Sequence, residues 1–220
     1  MGQKVNPIIL RISGGQRTWN TEWYAKNIES YSDGVIEDIV IFKYLERCPL
    51  ANFIFGIKIE KKSDIPHIII QTQRISNITS ARNKKDKLLD VLQKELFILL
   101  NKKVSIAIVE LKRAELSARK IALDISEKIE KRIPYKKAVK LAMESVMRAG
   151  AIGIKVTCSG RLNGAEIARA ESFKDGSMPL QSIRENIDYH VAEAHTIYGA
   201  IGLKVWIYHA GSIFSKKQVN

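Results

Sequence analysis

Cysteine is scarce in this chain of 220 residues, with Cys48 and Cys158 the only two. They are far apart in sequence and neither has a second Cys at metal-binding spacing. That excludes a disulfide-stapled scaffold and a zinc knuckle, and it reads both as small buried residues of a reducing compartment. Long apolar runs are also missing. No stretch approaches the roughly 20 uninterrupted apolar residues that span a bilayer, and the opening residues lack a secretory apolar region. The expectation is a soluble, non-secreted protein with no membrane partner.

Catalytic signatures are absent as well. The sequence has no Gly-X-X-X-X-Gly-Lys-Ser/Thr phosphate loop and no Gly-X-Ser-X-Gly elbow, and His67, His190, His195 and His209 lack partners at zinc-finger spacing. His190 and His195 stand five apart on an expected strand and so face opposite sides. Asp175, Asp188 and Glu193 are the acids a magnesium-dependent nuclease would use, but pairing with Arg161, Arg169 and Arg184 is the preferred reading. The sequence therefore predicts no enzyme, no cofactor and no metal.

Acid is the last shortage. Asp and Glu number 23 against 36 Lys and Arg, a net charge of +13 that favours polyanionic partners. The excess is concentrated: residues 112–169 hold fourteen basic residues and six acidic ones. Clustering of that kind points to a phosphate footprint rather than to a merely solvated face. Within it, Gly160 and Gly164 lie among Arg148, Arg161 and Arg169, so a tight turn containing Asn163 is set among guanidinium forks that can grip phosphate.

The length and the 45% apolar content suffice for two modest cores. In the first, Glu37 to Glu46 carries a helical pattern, and residues 53–60 and 65–72 alternate as two strands of a hairpin. A helix from about Lys84 to Leu100 and a strand through Val104, Ile106 and Ile108 follow. Strand, strand, helix, strand after an initial helix is the order of a type II KH domain. Trp19 and Trp23, four apart, are read as packing together against this domain rather than stacking on bases. In the second core, helices are expected over 114–131 and 135–148, with Pro134 starting the latter. Val139, Ala142, Met143 and Val146 point inward, and Lys136, Lys137 and Lys140 share the opposite face. Strands then follow through 152–158, 167–173, 187–194 and 203–208, with Trp206 a sheet or core residue.

The expected organisation is an α+β chain: an extension with first helices over 1–50, a type II KH domain over 51–111, a C-terminal domain over 112–210 with two helices packed on a mostly antiparallel sheet, and a tail over 211–220.

Several islands resemble the ribosomal protein S3 family of the small subunit in its bacterial and organellar form. They are Met1 to Pro7 with Leu10-Arg11, Ser159 to Glu171, Asp188-Tyr189, Glu193 to Thr196, Tyr198-Gly199 and Gly202 to Ile207. In order, they span nearly the whole chain. The resemblance implies a structural constituent of the small-subunit head, bound to small-subunit ribosomal RNA and neighbouring head proteins. It places such a protein in a ribosome, in the bacterial cytoplasm or in an organelle's matrix or stroma. It also implies contact with messenger RNA: Lys136, Lys137 and Lys140 match family positions that line the channel through which the message enters and assist its unwinding. The match rests on Glu130-Lys131-Arg132, on the helix start at Pro134-Tyr135 and on the spacing of the three lysines, with Arg132 counted among the RNA-binding residues.

One departure stands out. KH domains use a Gly-X-X-Gly loop to bring backbone close to phosphates, and alignment of Ile70-Gln71-Thr72 with the family's strand puts Ser80, Ala81, Arg82 and Asn83 there. Neither glycine is present. Asn83 instead suits a helix N-cap, so the KH domain is read as kept for fold and protein contacts. The alternative reading is a free KH-type RNA chaperone or regulator.

Overall fold

The computed structural model describes residues 4–12, 19–48, 54–62, 65–73, 86–111 and 114–209, with backbone alone for 86–90. The loop Ser80 to Asn83, its Asn83 cap and the tail from 211 lie outside the described residues. Packing gathers residues 19–114 into one compact unit and residues 1–18 with 115–220 into another. The first helix, α1 (Pro7–Arg11), therefore belongs with the C-terminal unit and not with the extension and KH domain that follow it in sequence.

The unit over 19–114 contains β1 (Thr21–Glu22), α2 (Ile28–Arg47), β2 (Ile54–Lys62), β3 (Ile65–Thr72), α3 (Asp86–Leu100) and β4 (Ser105–Glu110). Its sheet has the order β1-β2-β3-β4, with β2 and β3 antiparallel and β3 and β4 parallel. The parallel pair needs a crossover between its strands, and α3 supplies it. Ile41 and Leu45 from α2, Ile54, Ile57 and Ile59 from β2, Ile68 and Ile70 from β3 and Leu92 and Leu96 from α3 form one core.

Helix α2 starts nine residues earlier than its periodicity suggests. Its first turn is held by Ser30, whose Oγ accepts from the Asn27 N–H and donates to the Asn27 carbonyl. Gly34 looks like a breaker but is a contact: a Cβ there would stand 2.6 Å from the Trp23 ring. Trp23 packs on Tyr31 and donates to Asp38 at 2.7 Å, while Trp19 is exposed. The expected Trp19–Trp23 pair is thus replaced by Trp23 on the helix, because the indole N–H finds the buried carboxylate of Asp38 there.

The C-terminal unit carries α4 (Ala118–Glu130), α5 (Tyr135–Arg148), β5 (Gly153–Gly160), β6 (Arg169–Gly176), β7 (Ile187–Thr196) and β8 (Gly199–Tyr208). All three strand pairings in the order β6-β5-β8-β7 are antiparallel. Helix α4 is shorter than the expected 114–131 because a 3-10 turn occupies Ala114–Leu116. Pro134 is the N-cap of α5, one place before the position foreseen for it.

Alternation along the strands sends Ile154, Val156, Cys158, Leu203, Val205 and Ile207 toward α4 and α5, where Ile121, Ile125, Val139 and Val146 meet them. Truncating one such residue to Ala costs roughly 2–5 kcal/mol, against about 0–1 kcal/mol for an exposed ion pair such as Lys131–Glu127. Apolar packing, not surface charge, holds the unit. Burial pushes the Cys158 thiol up to about 12, as suits an inert core residue, whereas Cys48 is only half-buried.

Three polar ties fix α4 on β7. Asp188 accepts from the Ala118 N–H at 2.7 Å, Ser126 donates to the Glu193 carbonyl at 2.9 Å, and Glu130 accepts from the His195 N–H at 3.0 Å. Asp188 thus caps a helix at a position where the side chain of Ser117 makes no cap bond. This corrects the arginine pairing expected of it. Burial pushes its pKa up, against the pull of the Ala118 and Tyr189 amides.

Arg11 is 1% exposed, and its guanidinium donates to the carbonyls of Pro7, Pro179, Leu180, Ser182 and Glu185 at 2.8–3.3 Å. The fork geometry of Arg allows so many acceptors at once. Through it the opening helix holds the loop between β6 and β7. Among the described residues, no helix is long and apolar enough to cross a membrane.

Candidate nucleic-acid interface

Three segments far apart in sequence enclose a cleft of about 520 Å³ within the C-terminal unit. One is the α4–α5 connection over Ile129 to Tyr135, the second is the turn after β5 containing Arg161, Asn163 and Gly164, and the third is the β7–β8 hairpin tip with His195 to Tyr198. Ile133, Pro134 and Ile201 give it an apolar lining, and Arg132 and Arg161 bring two guanidinium groups to it.

The connection is a Schellman ending. The Arg132 N–H donates to the Ile129 carbonyl, the Ile133 N–H reaches back to Lys128, and Arg132 takes φ 63°. Glycine usually occupies that place, and α5 follows the habit with Gly150 at φ 94°. A non-glycine residue there costs of order 1 kcal/mol.

The turn after β5 is built on Tyr198. The Arg161 guanidinium lies 5.7 Å from that ring's centroid, donates through Nε to the Ala165 carbonyl at 2.9 Å and through Nη1 to the Tyr198 carbonyl at 3.3 Å. Asn163 takes φ 55° and Gly164 φ 77°, where a Cβ on Gly164 would meet Tyr198 at 2.9 Å. Gly164 is therefore required first by this packing rather than by close approach of a phosphate. Arg161 likewise spends two of its five donors inside the protein.

Arg169 adjoins the cleft. It donates to Glu171 at 2.9 Å, and the other oxygen of that carboxylate accepts from the Tyr135 hydroxyl at 2.8 Å. The Tyr135 bond, followed by Arg169, holds the Glu171 carboxyl below its ordinary value. Lys136, Lys137 and Lys140 are exposed along α5, opposite buried Val139, Ala142 and Val146. Arg148 is not part of the cluster. It lies about 18 Å from Lys136 along the helix and faces Glu144 at 3.9 Å.

The structure thus brings Arg132, Arg161, Asn163 and Gly164 together, sets Lys136 and Arg169 beside them, and leaves Arg148 apart. Sequence reasoning did not give Tyr135, Glu171 or Tyr198 these parts, and the stacking of Tyr198 on Arg161 has no local signal 37 residues away. What the arrangement offers chemically is fixed positive charge and stacking surface. Among the described residues, no group of His, Cys, Asp or Glu could hold a metal.

Comparison with known proteins matches residues 125–207 to the family described as Ribosomal protein S3, C-terminal domain. A protein of Protochlamydia amoebophila called Small ribosomal subunit protein uS3 is 43% identical over 218 residues, covering 99% of this chain and 100% of that one. The proteins of the same name in Halalkalibacterium halodurans and Clostridium novyi are each 41% identical, covering 97% and 96% of their lengths. With the two-unit α+β architecture, the cleft at the heart of the matched segment and likeness over the full length, the chain belongs to the ribosomal protein S3 family, that of small ribosomal subunit protein uS3.

Proposed function

We propose that this chain is a structural, non-enzymatic constituent of the small ribosomal subunit that binds ribosomal RNA and neighbouring proteins of the subunit head. The observation that carries the reading is the convergence of Arg132, Arg161, Asn163 and Gly164 on one cleft, with Arg169 beside it. Charge fixed by backbone bonds, as at Arg161, loses little freedom on meeting a phosphate, so it positions RNA without reading its bases. The exposed stripe of Lys136, Lys137 and Lys140 on α5 faces messenger RNA in the channel through which it enters, where it assists unwinding. Lysine here is a mobile point charge that grips a moving strand without bidentate register. The full-length relatives named above are bacterial, which favours a ribosome of the bacterial cytoplasm.

Sedimentation of a cell lysate tests the assignment. The tagged full-length chain is expected to travel with small subunits and to leave them only at salt that dissociates ribosomal RNA contacts. A chain found wholly in the slow, ribosome-free fractions would be the free RNA chaperone instead.

A further inference from the structure

The sheet of the C-terminal unit has a second face, turned away from α4 and α5. Register aligns Lys174, Lys155, Trp206 and Tyr189 across the four strands in one row, and Ser172, Thr157, Lys204 and Val191 in the next. In the first row the Lys155 ammonium sits 5.3 Å from the centroid of the Trp206 ring. In the second the hydroxyls of Thr157 and Ser172 are hydrogen-bonded at 2.9 Å. The opening segment brings a further amine: Lys4 lies near enough to Lys155 to disfavour its charge.

Burial first, and then Lys4 and Lys174, disfavour the charged form of Lys155. Among the described residues, no carboxylate pairs with Lys4, Lys155, Lys174 or Lys204. Three amines gathered without a counter-charge repel one another, and an anion seated between them turns that repulsion into attraction.

We propose that this outer face is a second RNA-contacting surface, on which Lys4, Lys155 and Lys174 hold a phosphate of the ribosomal RNA backbone and Lys204 a neighbouring one. The inference rests on the ribosomal reading above. It concerns backbone rather than bases, because Trp206 is 9% exposed and lies beneath Lys155, so it offers no stacking platform. What the face presents instead is amines and hydroxyls, groups that engage phosphates and 2′-hydroxyls irrespective of sequence.

The test compares the full-length chain with a variant carrying Lys4→Gln, Lys155→Gln and Lys174→Gln in binding to transcribed head-domain RNA of the small subunit, between 50 and 200 mM salt. Loss of the one phosphate that the three amines share should lower the slope of log affinity against log salt by about 1. A charge-matched variant in the other unit, Lys26→Gln with Lys43→Gln and Lys103→Gln, should leave the slope unchanged. The charge-keeping changes Lys4→Arg, Lys155→Arg and Lys174→Arg, made together, should keep wild-type binding. Equal slopes for the two Gln variants would overturn the proposal, as would unchanged RNA binding accompanied by loss of a neighbouring head protein from reconstituted subunits. Absence of any salt-dependent binding by the unaltered chain would instead bring down the ribosomal reading itself.

Discussion

Arg132 sits where a helix ending ordinarily takes glycine, and the backbone is strained to keep it there. Strain of that size persists where the side chain has a use that glycine could not meet. Arg132→Gly should therefore stabilise the chain by about 1 kcal/mol, since φ 63° is free for glycine. The same change should weaken binding to head-domain RNA, with the salt slope falling by about 1. Chemical denaturation and RNA titration on one preparation check both halves. A variant that is more stable and binds equally well would strip Arg132 of its part in the cleft. Arg161 stands in contrast, because its contacts with Ala165 and Tyr198 make it a strut of the turn as well as a charge.

At the scale of elements, α5 separates two tasks around its circumference. Tyr135, Ala138, Val139, Ala142 and Val146 are buried, while Lys136, Lys137 and Lys140 are exposed. Replacing the three lysines by Ala removes no core volume and inserts a better helix former, so assembly into subunits should be unchanged. Passage of a ribosome through a message hairpin should slow relative to an unstructured message. Equal slowing of both messages, or failure to assemble, would make these lysines ribosomal RNA anchors. This helix was legible at both ends because Pro134 marks its start and its apolar period is unbroken. Helix α2 was not, since Ile28, Ile36 and Ile39 are exposed and blur the period, and Gly34 is explained only by a ring from outside the helix. The charges of the cleft could be found from composition, but not the cleft itself. Its walls come from three segments whose meeting depends on strand register, and Asp188 was misassigned to arginine partners for the same reason.

For the whole molecule, one buried histidine, His209, and one half-buried, His190, tie the stability of the C-terminal unit to pH. Burial, then Arg119, pushes His190 down to about 4, and burial alone does the same for His209. A histidine whose folded pKa lies below its unfolded value of 6.5 takes up its proton more readily when unfolded. Its full contribution is therefore present above about pH 6.5 and is lost as pH falls toward 4. Thermal melts should show the transition temperature dropping across that window, and the double change His190→Gln with His209→Gln should flatten the drop. A wild-type profile flat from pH 7 to 4.5 would contradict it.

The grip of Arg11 on the loop before β7 has a consequence in time. Its most distant acceptor, Glu185, follows it by 174 residues, which a ribosome needs roughly 10 to 35 s to add at 5–20 residues per second. During that interval the residues of 19–114 emerge as a contiguous stretch that can fold at once, while α1 waits without a partner. The C-terminal unit closes only when the last strands reach the N-terminal helix made first. Order of synthesis and order of folding therefore run in opposite directions at the two ends of one domain.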